Sequence, residues 1–259
     1  IAKHLNKMIF AAMYYYGLLS SHYLVEKYGH HYNTFKTGEC KYFKDNKWHT
    51  LKGSPLSNGL FQFDLWTSEA DYLKSINRLD EKIYKVSDNI IIEPTEWGDQ
   101  GSWESLKDII VKSGVMNSMI LAPMPTASTS QLVRSTEAFE APQNLIYSRK
   151  LVHGNFTVYS EPFVEDMQRL GLWTKELIEF VTMENGSIRY IDHFVRDNPD
   201  YFKVKYEDVK DELVIMKKIH RGMYEISQKD IMQMARQRGI YVDQSQSLNI
   251  YIAEPTMKK

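Results

Sequence analysis

The residues with the clearest capacity for chemistry form a hydroxyl-rich run after two prolines, Pro-Met-Pro-Thr-Ala-Ser-Thr-Ser-Gln at 123–131. An apolar run at 119–124 precedes it, and this order predicts a buried strand, a tight turn and then a helix. Such a turn can offer unpaired backbone N–H groups and hydroxyls to an anion, with the positive end of the helix dipole behind them. A second interpretation stays open, in which Thr126 or Ser128 only caps the helix. The turn contains neither lysine nor glycine, so it is not a P-loop.

The same turn resembles the substrate-phosphate loop of the large, catalytic subunit of class I ribonucleoside-diphosphate reductases. Other stretches resemble this family as well, in the family's order and over nearly the whole chain: residues 53–66, 103–106, 137–140, 144–149, 185–188, 224–228, 243–249 and 252–256. Together they form a specific signal, and the chain is identified as resembling the C-terminal part of the reductase barrel domain.

The resemblance implies that residues 1–259 form the C-terminal, helix-rich segment of a ten-stranded α/β barrel. The alternation of predicted helices and strands in the first half of the chain is also typical of an α/β sheet or barrel. Residues 29–52 are polar, aromatic and basic, and they are more numerous than the family leads us to expect. We therefore predict a hairpin insertion at 29–52.

For binding, the resemblance implies that Thr126, Ala127, Ser128 and Thr129 hold the diphosphate of a ribonucleoside diphosphate substrate. Their roles would be backbone N–H donation and hydroxyl hydrogen bonds, which position the nucleotide without transforming it. The loop at 243–249 is interpreted as structural. The family's basic pair matches Arg149 and Lys150, which are either a further phosphate contact or a solvated pair.

No catalytic residue can be assigned to this chain. The family reduces ribose with three cysteines, one of them close to an Asn-x-Cys-x-Glu pattern, and passes its radical through a tyrosine pair; neither pattern is present here. Thiol-based two-electron reduction requires at least two cysteines, and Cys40 is the only one. The Tyr14–Tyr16 run points to different faces of a helix, which favours packing over a radical relay.

The missing chemistry defines the expected partners. The resemblance implies an N-terminal segment of the large subunit that carries the cysteines, and a small subunit that generates the radical with a metal centre. Allosteric ATP and dATP sites belong to other parts of the family's large subunit, so no cofactor is expected in this chain. The resulting prediction is a reductase segment for deoxyribonucleotide biosynthesis that is inactive alone. The alternative is a non-catalytic homologue that binds partners through the 29–52 hairpin.

Composition excludes several other classes. The chain is 43% hydrophobic and 25% charged, as in ordinary globular proteins, and its net charge of −1 provides no basic field for nucleic acid. No apolar run reaches the length of a membrane span, and no signal peptide pattern is present. A single cysteine excludes an internal disulfide and fits a cytoplasmic location. The first residue is isoleucine, which indicates a piece of a longer protein.

Two interpretations apply to the side chains of His30, His31, Cys40 and His49: they are zinc ligands, or they belong to a solvated loop. Their spacings match no established zinc-ligand pattern, so the loop is the preferred interpretation and no metal is predicted.

The elements that must position these residues follow from periodicity. A long helix over 4–28 carries one apolar stripe, made of Leu5, Ile9, Ala12, Tyr16, Leu19 and Tyr23. Further helices are predicted over 68–78, 102–112, 162–170 and 174–183, and residues 206–238 are strongly helical in composition. Strands are predicted around 90–92, 119–124, 144–147, 156–159 and 240–242, with a polar loop at 243–247.

Overall fold

The structure, a computed structural model, describes residues 1–44, 47–65, 91–151 and 154–253. The chain divides into two compact units, one of residues 1–124 with 231–247 and one of residues 125–230 with the stretch from Leu248 on. The described helices are α1 (Ala2–Tyr28), α2 (Gln62–Leu65), α3 (Trp103–Ser113), α4 (Thr129–Leu132), α5 (Glu161–Arg169), α6 (Lys175–Met183), α7 (Ile191–Asp197), α8 (Tyr206–Ile219) and α9 (Gln228–Gly239). The described strands are β1 (Glu39–Lys44), β2 (Lys47–Lys52), β3 (Ile146–Leu151) and β4 (Gly154–Tyr159).

The strands form two separate antiparallel hairpins, β1 with β2 and β3 with β4. Within the described ranges there is no larger sheet, so a ten-stranded barrel is not seen; the architecture is helix-rich α/β. A barrel strand is held by hydrogen bonds to neighbouring strands on both sides, and the strands in the described ranges do not supply those neighbours. The β1–β2 hairpin lies inside the predicted 29–52 range. Whether that range is an insertion stays a prediction.

Helix α1 confirms the predicted long helix, but the predicted apolar stripe lies on the more exposed face of this helix. The face that packs against the rest of the first unit contains Phe10, Tyr14, Leu18 and Val25. The predicted stripe lies on the opposite face, where Ile9 is 51% exposed while Leu18 is fully buried. The cause is that α1 is apolar on both faces, and periodicity alone cannot say which one the chain covers.

The rest of the first unit packs aromatic rings against α1. Trp103, at the start of α3, lies between Tyr14 and Tyr15, with ring centroids 6.1 and 5.3 Å away. Its indole N–H donates to the carbonyl of Ile92 at 2.9 Å. Helix α3 begins at the predicted position because Ser102 and Ser105 form a reciprocal capping box. It ends at Gly114, whose φ of 89° is in the left-handed region.

The second unit is built on the predicted helices α5 and α6, followed by α7 and α8. Its core is a single apolar cluster of fully or nearly fully buried side chains, including Phe163, Met167, Leu172, Leu177, Val181, Ile191 and Leu213. Thr174 caps α6 by accepting the N–H of Leu177 at 3.2 Å. The hairpin β3–β4 confirms both strands predicted in this unit.

Two sequence predictions near the C-terminal end are wrong. The helical stretch 206–238 is broken between α8 and α9, where Gly222 interrupts the pattern and the N–H of Met223 donates to the carbonyl of Pro142 at 2.9 Å. The apolar residues 240–242 are buried but form a turn, since the N–H of Tyr241 donates to the carbonyl of Arg238. The predicted helix at 68–78 and most of the predicted strand around 90–92 lie outside the described residues; Ile92 itself is not in a strand.

Candidate functional site

The apolar segment that leads into the hydroxyl-rich turn is irregular and not the predicted buried strand. Met119 and Met124 are 54% and 63% exposed, and residues 119–124 form no strand. The segment is nevertheless held in place. The backbone N–H groups of Ile120 and Leu121 both donate to one carboxylate oxygen of Asp243, at 2.6 and 2.9 Å. The loop at 243–249 therefore has the structural role that its sequence suggested.

Two further features anchor the same segment. The hydroxyl of Ser21, buried on α1, donates to the side chain of Asn117 at 2.9 Å and accepts the backbone N–H of Asn117 at 2.8 Å. Gly17 lets Ile120 lie against α1, because a Cβ at position 17 would come within 2.2 Å of the Ile120 side chain. Burial raises the pKa of Asp243, and its two backbone hydrogen bonds oppose this shift. The sequence signalled the Asp243 loop but neither Ser21 nor Gly17.

The turn itself begins at Thr126, whose φ of 52° is left-handed and uncommon for a β-branched residue. Its carbonyl accepts the N–H of Ser130 at 2.8 Å, which closes the turn. Its hydroxyl oxygen accepts the N–H of Ala138 at 2.9 Å. Thr126 therefore shapes the turn and ties it to the stretch 137–140.

The next three residues present donors to the outside. Ala127, Ser128 and Thr129 are exposed. Among the described residues, their backbone N–H groups and the hydroxyls of Ser128 and Thr129 have no hydrogen-bond partner. Ser130 is buried, and its hydroxyl donates to the carbonyl of Ala127 at 3.4 Å. The turn can thus donate several hydrogen bonds to one anion without first breaking any.

The helix behind the turn is short. Helix α4 has four residues, Thr129–Leu132. A single helical turn sums few peptide dipoles, so its contribution to anion binding is small. The hydrogen-bond donors that the turn offers are therefore its individual N–H and hydroxyl groups.

A cleft of about 1080 Å³ lies in the second unit. Its wall carries four aromatic rings, Tyr147, Tyr159, Trp173 and Tyr251, and the carboxylates of Glu137, Glu140 and Glu161. None of Thr126, Ala127, Ser128 and Thr129 lines this cleft. The structure therefore does not bring the predicted phosphate contacts into this cleft.

One carboxylate in the cleft joins two stretches that resemble the reductases. Glu140 accepts hydrogen bonds from the side-chain amide of Asn249 and the phenol of Tyr251. Burial and the Glu140 hydrogen bond raise the pKa of Tyr251 to about 12, so its phenol keeps its proton near neutral pH. The sequence marked both stretches but did not show that they meet.

The other candidate residues are placed as follows. Arg149 and Lys150 lie on β3, opposite Phe156 and Asn155, and neither lines the cleft. Cys40 lies half-buried on β1, where burial raises the pKa of its thiol and disfavours the reactive thiolate. No group of three or more His, Cys, Asp or Glu side chains in the described ranges can hold a metal ion. Among the helices described, none has the length and apolar character to cross a membrane.

Comparison with known proteins gives one family. The family model described as ribonucleotide reductase, barrel domain, matches residues 1–259. This chain belongs to the ribonucleotide reductase barrel-domain family. It is 34% identical to the ribonucleoside-diphosphate reductase large subunits of Caenorhabditis elegans and Arabidopsis thaliana, covering 98% and 100% of this chain. In both cases the match covers 24% of the relative, so the chain spans about a quarter of the length of these reductase subunits.

Solved structures give a weaker likeness. The Actinobacillus ureae class Id ribonucleotide reductase alpha subunit superimposes with a TM-score of 0.40 and 18% identity, over 76% of this chain and 30% of that one.

Proposed function

We propose that this chain is the C-terminal portion of the barrel domain of a ribonucleoside-diphosphate reductase large subunit, and that it binds the diphosphate of the substrate. The observation that carries the proposal is the exposed turn at 126–129, whose backbone N–H groups and hydroxyls at 127–129 have no other partner among the described residues. Family membership supplies the substrate class, since the relatives are ribonucleoside-diphosphate reductase large subunits.

The turn binds and orients the substrate through donors alone. Hydrogen bonds to a charged group contribute about 1.5–3 kcal/mol each, so about three of them at the upper end of this range correspond to roughly micromolar binding. Thr126 holds the turn in its left-handed conformation, and Ser128 and Thr129 add their hydroxyls. Because these donors are uncharged, affinity depends on geometry more than on a lysine or arginine in the turn.

The sulfur chemistry is assigned to a second polypeptide. Cys40 is the only cysteine, its thiol pKa is raised, and a dithiol reduction needs two cysteines. We therefore expect a companion polypeptide that carries the Asn-x-Cys-x-Glu pattern, together with a small subunit that supplies the radical. No step of the reduction itself is assigned to a residue of this chain.

The test combines complementation with substitution in the turn. The chain, the companion polypeptide from the same source and a small subunit are mixed, and reduction of a ribonucleoside diphosphate is assayed. Ser128→Ala with Thr129→Val removes two hydroxyls while nearly keeping side-chain shape, and we expect KM to rise about tenfold or more. Ser148→Ala, an exposed hydroxyl on β3, is the matched control. An unchanged KM in the double variant would contradict the assignment of the turn.

A second candidate function has its own observation. The β1–β2 hairpin displays Trp48, which is 70% exposed, and exposed tryptophan is typical of binding surfaces. This favours a non-catalytic homologue that acts as an interaction protein through residues 29–52. Deletion of the hairpin separates the two functions: reductase complementation survives under the first, and partner capture is lost under the second.

A further inference from the structure

Helix α1 has a second apolar face that the described chain leaves uncovered. This outer stripe consists of Leu5, Ile9, Met13, Tyr16, Tyr23 and Leu24, which recur at helical spacing. Ile9, Met13 and Tyr23 are 51%, 48% and 56% exposed. The opposite face of the same helix packs against the rest of the first unit.

A surface helix of a globular protein normally has one apolar face and one polar face. The outer stripe extends from Leu5 to Leu24 on helix α1, which is roughly 29 Å at a rise of about 1.5 Å per residue. Exposed apolar side chains grouped on one helix face, as here, are typical of a protein interaction surface. The sequence pattern thus predicts a helix that is covered on both sides, and the residues that the structure describes cover one of them.

The length of the relatives indicates which part of the protein covers the outer stripe of α1. This chain spans about a quarter of the reductase large subunits it matches, so three quarters of such a subunit lie outside it. We propose that the outer stripe of α1 is the surface on which the remaining part of the large subunit packs. This inference rests on the proposed function and adds to it the place and chemistry of the contact.

Charge distinguishes that occupant from a second copy of this chain. Lys27 is exposed and lies in line with Ile9 and Tyr23 on the outer face, with its ammonium 5.2 Å above the Tyr28 ring. In a parallel pair of copies, Lys27 would meet its own counterpart. In an antiparallel pair, it would be buried against the apolar region around Leu5, with no compensating charge. The fitting partner is a different apolar surface that presents a carboxylate near the C-terminal end of α1.

The experiment measures binding of the companion polypeptide by calorimetry. Ile9→Glu with Met13→Glu places two charges in the outer stripe while keeping good helix formers, and we expect the dissociation constant to rise at least about tenfold. The matched control is Val214→Glu with Ile215→Glu on α8, where the two side chains are 47% and 51% exposed; binding should stay within about twofold of wild type. Lys27→Glu should weaken binding as well.

Other outcomes would overturn the inference. If the stripe variant binds like wild type, the stripe is not the contact, while the proposed function still stands. If the stripe variant alone unfolds several degrees below the control variant, the stripe is packed within the chain. If wild type is a dimer by light scattering and the stripe variant a monomer, the occupant is a second copy. If wild type does not bind the companion polypeptide at all, the proposed function fails together with the inference.

Discussion

Two regions of the molecule carry apolar patterns that predict burial, but only one of the two is buried. The sequence predicted α5, α6 and α8 but not α7 in the helical region from α5 to α8, and this region has a core in which Phe163, Leu177 and Leu213 are fully buried. The apolar segment at 119–124 was predicted as a buried strand, yet it is irregular and Met124 is 63% exposed.

The difference lies in where the backbone hydrogen bonds go. A helix satisfies its backbone groups within its own segment, so α5 to α8 need only one another to bury their apolar faces. A strand satisfies them with neighbouring strands, and within the described residues the segment at 119–124 has none. In their place, Asp243 accepts two of its N–H groups. An apolar pattern in the sequence is therefore sufficient to predict a buried helix here, but it is not sufficient to predict a buried strand.

The largest expected effect tests this contrast directly. Leu177→Ala opens a cavity in the core of the second unit, and we expect it to lower the free energy of unfolding by about 2–5 kcal/mol. Met124→Ala, in the exposed segment, should change it by less than about 0.5 kcal/mol. Urea unfolding of both variants gives the comparison. Similar losses in the two variants would show that Met124 is as well packed as Leu177.

A smaller effect tests how α1 holds the segment. Gly17→Ala introduces a Cβ at 2.2 Å from the Ile120 side chain, and we expect a cost of about 1–3 kcal/mol from overpacking. Alanine is otherwise preferred to glycine within a helix by about 1 kcal/mol, so a loss of stability identifies the clash. Ile120→Ala in the same background should restore part of the loss. A stabilised Gly17→Ala variant would mean that Ile120 is not held against α1.

The smallest effect concerns the pH dependence of the helical region. Asp166 accepts a hydrogen bond from His220 at 2.7 Å and one from Arg169 at 3.1 Å, and these partners lower the pKa of its carboxyl below the ordinary 3.8. The stabilisation is therefore complete above about pH 4 and is lost as the pH falls through the lowered pKa. Asp166→Asn should reduce stability at pH 7 by about 1 kcal/mol and flatten the loss between pH 4 and 2 in acid titration. Asp200→Asn, an exposed carboxylate, is the control. An equally steep acid loss in the Asp166 variant would contradict this role.

Prediction from sequence succeeded where a local signal was sufficient. The capping box at Ser102 and Ser105 and the glycine at 114 fixed the limits of α3. It failed where a choice depended on distant residues. The periodicity of α1 correctly indicated a helix with an apolar stripe. That stripe is not the face that packs, since the packed face contains Tyr14 and Leu18. Likewise, no local pattern reports that Arg238, in the last turn of α9, is buried beside the Phe10 ring, 5.8 Å from its centroid.

The candidate site shows the same division. The hydroxyl-rich turn and its resemblance to the reductases were evident from residues 123–131, and the family is shown over residues 1–259. The left-handed Thr126, the contact from Thr126 to Ala138 and the support from Asp243 required the folded chain. These contacts join residues that are 12 and 123 positions apart, and no local pattern reports on such pairs.

The sequence by itself determined most of the described long helices, where several of them begin and end, and to which family the chain belongs, because these depend on residues close together in the chain. Only the tertiary structure decided which face of α1 is covered, whether the segment at 119–124 becomes a strand, and which donors of the turn stay available. These outcomes depend on which distant groups come into contact, since burial and hydrogen bonding are shared between partners and are not a property of one segment.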